Sequence, residues 1–323
     1  MKTKDLLIAI TGILISIVLI YLTFKDFDFT NILPILKNMK ISFLLLFFAS
    51  TFLELTFRTL KWYLILLPIK KTEFLKLFEF EIISLGINNI LPFRMGEFTK
   101  MFLVSKRYFI SKTTSLSTVF VERLLDTFIL FSLFLIYSSA GNIDMRINRS
   151  LIIIILLTVI FLVLLFFVYI EKVAQLIFGE VEKKHPKVHQ IIVKIKNGGV
   201  CFKNLGLTFL IYLSGIIQWN FDVLNNFFIA KSIQIHLIDY FKAALTVFAG
   251  SLSASIPSMP GYFGNYEYAI SRIMILWGVD RNVAVIYPSI IHILTYLIIT
   301  SASLFFIYRE KNIIKNAIKG FKK

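Results

Sequence analysis

Six runs of about 20 mostly apolar residues recur along the chain, at 6–24, 43–67, 115–137, 151–170, 205–229 and 283–308. That is the length an α-helix needs to cross the roughly 30 Å hydrocarbon core of a bilayer. Backbone polar groups in lipid must be bonded within their own segment, so the runs predict helices and an all-α integral membrane protein. Two further apolar stretches, 77–91 and 240–276, are short or interrupted by Pro and Gly. The expected fold is a single transmembrane domain over 1–323, with about six crossing helices and two re-entrant broken-helix segments. Eight full spans are the competing arrangement. The run at 6–24 exceeds the usual signal-peptide core of about 7–15 residues and no small-residue cleavage site follows it, so a retained anchor is expected. Composition agrees: 57% of the 323 residues are hydrophobic and 17% charged, against about 25% charged in ordinary globular chains. The single Cys, Cys201, excludes an internal disulfide and a Cys-rich metal site.

The net charge of +16 would suggest nucleic acid in a soluble protein, but in a membrane protein Lys and Arg first report topology. If the two broken stretches dip and return, 23 of the 35 Lys and Arg fall on one side and 7 on the other. The positive-inside rule makes the richer side cytoplasmic, with both termini there, in a multi-pass protein of the cell membrane. A full crossing at 77–91 would move five positive charges to the poorer side, which favours the re-entrant reading. Residues 1–137 then read span, span, dipping segment, span, and 150–308 repeat that order from the opposite side, as in the inverted repeats of transporters. The segment 171–204 is basic. After His185-Pro186, the residues Val188, Ile191, Ile192 and Ile195 recur at helical spacing among Lys187, Lys194 and Lys196 until Gly198-Gly199. This predicts an amphipathic helix on the inner leaflet. The basic tail 309–323 repeats the theme.

Charges inside spans are costly, about 2.5–3.5 kcal/mol each at mid-helix on insertion scales, and their face must turn into protein or water. Glu122 and Asp126 are four apart on 115–137, and Arg123 is three from Asp126, within pairing reach. A helix-locking ion pair is the alternative to a functional role. Glu54 and Arg58 at i and i+4 are expected to neutralise each other. Lys61-Trp62 fits snorkelling and an aromatic belt at a cytoplasmic end. Asp222, with Asn225 and Asn226 one turn on, suits a polar inter-helix contact as well as a ligand contact.

Each broken segment holds Pro, Gly and Glu close together. In Asn88-Asn89-Ile90-Leu91-Pro92-Phe93-Arg94-Met95-Gly96-Glu97, Pro92 stops one helix and Gly96 permits a sharp return before the next. The N–H groups opening that helix would face an anion, with Arg94 and Lys100 adding positive charge and Glu97 capping the helix or balancing Arg94. The stretch Pro257 to Glu267, with Pro260, Gly261 and Gly264, can build a similar helix start from the other side. A plain loop is the alternative in each case.

Asn88-Asn89-x-x-Pro92-x-x-x-Gly96-Glu97, Val121-Glu122-Arg123-x-x-Asp126 and Pro260-Gly261-x-x-Gly264-x-x-Glu267 resemble, in order and spacing, the lysylphosphatidylglycerol synthase transmembrane region family of flippase-like proteins. The resemblance runs over nearly the whole chain. It implies a protein that moves a phosphate-bearing lipid between leaflets, with Arg94, Gly96, Glu97, Glu122, Arg123, Asp126, Gly261, Gly264 and Glu267 along its pathway. Lys100 stands where Arg is usual and Tyr262 where Gly is frequent, which points to a different headgroup pocket. No aminoacyl-transferase domain follows, so synthesis of a lysyl-lipid is not expected.

The function expected is a lipid flippase without enzymatic activity, catalytic residues, metal or cofactor. Its substrate contacts would come from Asn88, Asn89, Pro92, Arg94, Gly96, Glu97, Lys100, Glu122, Arg123, Asp126, Pro260, Gly261, Gly264 and Glu267. Arg94, Arg123 and Lys100 would hold a phosphate while the carboxylates balance them or carry protons. The partners expected are anionic or phosphate-bearing membrane lipids, with a second copy of the chain allowed and nucleic acid excluded. The rivals are a membrane-embedded enzyme of lipid-linked glycan or phospholipid metabolism and an accessory subunit of such a system. Against the enzyme, His185, His189, His236 and His292 form no metal pair and no Ser, His and Asp set is placed for attack.

Overall fold

The computed structural model of the chain describes residues 3–92, 94–141, 153, 186–256 and 258–310. Eleven α-helices are seen among them, and no strand. In chain order they are α1 (Thr3–Phe24), α2 (Ile32–Lys37), α3 (Ile41–Leu66), α4 (Phe74–Ile90), α5 (Met95–Tyr108), α6 (Lys112–Ala140), α7 (Pro186–Gly198), α8 (Leu205–Ser232), α9 (Tyr240–Ser253), α10 (Asn265–Leu276) and α11 (Arg281–Arg309). Short polar residues mark the starts. Ser111, Asn204, Asp239 and Asp280 each accept a backbone N–H of the first turn of α6, α8, α9 and α11, satisfying donors that the helix itself leaves open.

By length and composition α3, α8 and α11 can cross a membrane. At 1.5 Å per residue, α3 with its 26 residues is about 39 Å long. α6 is longer, with 29 residues, but carries Glu122, Arg123 and Asp126 within it. The span expected at 151–170 and the tail beyond 310 lie outside the described residues. The two broken stretches form helix pairs: α4 and α5 pack together, as do α9 and α10. Their arms hold 17, 14, 14 and 12 residues, roughly 18–26 Å each, short of the roughly 30 Å core. Arms of this length suit the re-entrant expectation.

α3 and α8 form the most extensive helix contact of the described residues, and they run antiparallel. Lys40 N–H at the start of α3 donates to Ser232 O at the end of α8 (2.9 Å), and Ser50 and Thr51 meet Asn225 halfway. Farther along, Lys61 donates to Gln218 Oε1 (2.6 Å). The two groups, α3–α6 and α8–α11, thus open on helices that run in opposite directions. They are also interleaved. α4 of the first group lies on α11 of the second, so closely that a Cβ at Gly86 would stand 2.1 Å from Ser303 Cβ. α6 lies on α9, with the Phe134 and Phe248 rings stacked at 4.1 Å.

Sidedness is inverted relative to a soluble protein. On α3 the inward positions include Ser50, Thr51, Glu54 and Lys61, while Leu45, Leu46, Phe48 and Phe52 are exposed, as lipid contact requires. α7 matches the expected amphipathic helix but is not free on a leaflet. Ile192 is buried, Ser117 of α6 donates to Ile195 O (2.7 Å), and Val188 and Ile191 remain outward. Beyond it Cys201 is buried, which pushes its thiol up to about 12.

Candidate functional site

One group of candidate residues forms a closed charge network. α6 turns Glu122 and Asp126 inward at i and i+4 spacing, α3 contributes Lys61, α4 Glu81 and α5 Lys100 and Glu97. Lys100 Nζ lies 2.6 Å from Glu122 Oε2, pairs with Glu81 and sits 4.0 Å from the centre of the Trp62 ring. Lys61 pairs with Asp126 and stands 4.0 Å from Glu122 Oε1. Arg123 joins Glu97 (3.0 Å) to Asp126 (3.3 Å), and Trp219 Nε1–H donates to Asp126 Oδ1 (3.3 Å). Lys61, Glu81, Lys100 and Glu122 are all 0% exposed. Three cations thus face four carboxylates, with Arg123 and Glu97 half-buried at the edge of the set, and the desolvation cost of the buried members is offset by their partners.

The expected Arg123–Asp126 and Glu54–Arg58 pairs are present. Lys61 and Trp62 are a correction: they neither snorkel nor form an interfacial belt, because the inward carboxylates of α6 hold the ammonium, and Trp62 lies buried under Lys100. Glu97 is another. It faces Arg123, not Arg94 or its own helix start.

The second group lies at the hairpin tips. α4 ends before Pro92 and α5 begins after Arg94, which adopts a left-handed backbone (φ +50°). Gly96 is required there, since a Cβ would stand 1.9 Å from Ser84 O. The Gly96 N–H donates to Asn88 Oδ1 (2.7 Å), and Asn89 Nδ2 bonds Thr300 of α11 (2.9 Å). In the other hairpin, Pro260 opens a 3₁₀ turn, Gly261 has φ +75° and Gly264 has φ +88°. The Gly264 N–H donates to Glu267 Oε2 (2.7 Å), whose Oε1 lies 2.5 Å from His292 Nδ1. Both helix starts expected to face an anion are thus occupied from within, by Asn88 and Glu267. The two tips meet: exposed Arg94 donates through Nη2 to Ala254 O just beyond α9 (3.2 Å).

A cavity of about 250 Å³ lies beside this junction. α3 lines it with Thr51, Glu54 and Arg58, and α8 with Asp222, Asn225 and Asn226. Ser251 and Ala254 come from the α9 side, Tyr262 and Tyr266 from the second hairpin, and His292, Thr295 and Tyr296 from α11. Arg58 Nε donates to Glu54 Oε1 (2.8 Å). Asn225 and Asn226 are engaged with Ser50, Thr51, Thr246 and Tyr287. His292 stacks on Phe263 at 4.5 Å. Of the substrate contacts expected from sequence, Asn89 alone lines this cavity; Glu267 reaches it through His292. Glu54 and Arg58 line it although they were expected only to neutralise each other, and Asp222, for which a ligand contact was one of two expectations, lines it too. His292, Thr295 and Tyr296 were missed, and their three- and four-residue spacing on an otherwise apolar α11 was the available signal.

The chain matches the family described as lysylphosphatidylglycerol synthase TM region over residues 9–303. A UPF0104 membrane protein of Methanocaldococcus jannaschii is 28% identical over 237 residues, covering 71% of this chain and 96% of that protein. No solved structure matches it. The match takes in both hairpins, the α6 charges and the cavity. The chain belongs to the lysylphosphatidylglycerol synthase TM region family and is an all-α membrane protein.

Proposed function

We propose that this protein carries a phosphate-bearing lipid between leaflets, as a transporter and not as an enzyme. The observation that carries the reading is the meeting of two broken helix pairs, from chain segments that open on antiparallel helices, at Arg94 and Ala254 beside a polar cavity. Irregular backbone at such depth is tolerated where it borders a cavity, and paired broken helices are a recurrent way to form a mid-membrane site. The family's name supports a lipid-related role.

In this reading the candidates divide their roles. Arg94 is exposed at the tip and contacts the phosphate. Lys100, Glu122, Arg123 and Asp126, with Glu97, form the rigid frame of the first hairpin, since their charges are already paired. Asn88, Pro92 and Gly96 shape one tip, and Pro260, Gly261, Gly264 and Glu267 the other. Acyl chains stay in lipid while units 1–137 and 150–308 rock about the α3 and α8 pair, with both termini on the cytoplasmic side of the cell membrane. The test is transfer of a fluorescent phosphatidic acid across liposomes of phosphatidylcholine containing the full chain. Arg94→Ala is expected to slow transfer at least about tenfold, the scale of one lost charge-assisted bond. Transfer unchanged by Arg94→Ala overturns the proposed contact, and no protein-dependent transfer of any phosphate-bearing lipid overturns the function.

A further inference from the structure

The cavity is not built like a phosphate site. Its guanidinium, Arg58, is bonded to Glu54, and its imidazole, His292, to Glu267. Asp222 lines the same wall, and among the described residues its carboxylate carries no hydrogen bond or ion pair. The fixed charge facing the space is therefore not positive, and a phosphate there would meet a carboxylate with no spare cation.

The wall offers other chemistry. Thr51, Ser251 and Thr295 present hydroxyls, and three tyrosines, Tyr262, Tyr266 and Tyr296, present rings and phenol groups. The Arg58–Glu54 pair offers donors and acceptors side by side without net charge. Vicinal hydroxyls are recognised by such donor and acceptor pairs, and the C–H face of a ring packs on an aromatic plane. At about 250 Å³ the space is far above the roughly 10–15 Å³ that one water needs, which leaves room for one six-membered ring. Tyr262 adds an independent observation. It holds a left-handed backbone (φ +63°) that glycine would take without strain, and strained residues of this kind cluster at ligand sites.

We propose that the cavity receives an uncharged, hydroxyl-rich ring of the lipid headgroup, with Asp222 accepting its hydroxyls and Tyr262 and Tyr296 flanking it. This rests on the transport reading and names the substrate class: a lipid whose phosphate, at Arg94, joins the ring to the apolar chains. Arg94 donates to Ala254 O, and Ala254 lines the cavity, so the two subsites adjoin.

The test measures binding to the full chain in phosphatidylcholine nanodiscs by native mass spectrometry. The probes are dioctanoyl phosphatidylinositol, a hexosyl-phosphate polyprenol, phosphatidic acid and phosphatidylethanolamine. The two ring-bearing lipids are expected to bind at least about tenfold more tightly than phosphatidic acid, and their order distinguishes inositol from sugar. Asp222→Asn is expected to erase most of that preference and leave phosphatidic acid unchanged. If that variant does not fold, Thr295→Val and Tyr296→Ala must each reduce the preference. Equal binding of phosphatidic acid and both ring lipids, or tighter binding of phosphatidylethanolamine, overturns the proposal. Selective binding with no transfer between leaflets sustains it and overturns the transport reading; transfer of every phospholipid alike does the reverse.

Discussion

The network around Glu122 and the cavity around Asp222 are both polar regions inside an apolar protein, and they differ in how fully their groups are paired. In the first, Lys61, Lys100 and Arg123 each contact two carboxylates. In the second, one carboxylate, that of Asp222, has no bond among the described residues and borders an open volume. The sequence places its densest charges in the first region, yet a charge already compensated has little free energy left for a ligand. Ionisable groups in a membrane mark either a frame or a site, and partner satisfaction separates the two.

The largest effect that could break this contrast is on the frame. Lys100→Met leaves Glu81 buried without an ammonium and Glu122 with Lys61 alone, 4.0 Å away. Removing one member of a buried pair costs about 3–5 kcal/mol, so a sharp loss of thermal stability in detergent is expected. Asp222→Asn in the cavity should shift stability by under about 1 kcal/mol. Equal shifts for the two would erase the distinction. A smaller effect is expected at the first tip. Gly96→Ala pushes a methyl to within 1.9 Å of Ser84 O, and overpacking of this kind costs about 1–3 kcal/mol. Because the α5 start would move from Asn88, transport should fall even in the fraction that stays folded; full transport at unchanged stability would mean that the tip is not a fixed element.

The smallest perturbation sharpens the comparison most directly. Ser251→Cys in the cavity should react with a small water-soluble thiol reagent, whereas Thr118→Cys, fully buried beside Trp62, should not. Native Cys201 supplies little background at neutral pH. Burial raises its thiol from 9.0 to about 12, which cuts the thiolate fraction about a thousandfold. That protection holds while pH stays below the folded value and ends on unfolding. Equal labelling of both introduced cysteines would mean that the network is as open as the cavity.

Much of the fold was legible because lipid imposes a simple rule: apolar runs become helices of known length. The breaks at Pro92 and at Pro260 to Gly264 were equally legible, since Pro cannot continue a helix and Gly accepts a positive φ. The two helix starts looked open to an anion because local sequence does not reveal that Asn88 reaches back to Gly96, or that Glu267 caps Gly264. Lys61 looked like an interfacial residue because its partner Asp126 is 65 positions away. The cavity was least legible, since it is walled by residues of several helices, each with a plausible reason of its own to be polar.

Sequence alone determined that the chain is an all-α membrane protein with two broken segments and charges that must face inward, because the cost of exposing backbone or charge to lipid depends on local composition. Which charges pair, and which carboxylate is left facing space, was decided by the antiparallel packing of α3 on α8 and the interleaving of α4 with α11 and α6 with α9. Pair energies fall within a few ångströms, and only the packed helices set those distances.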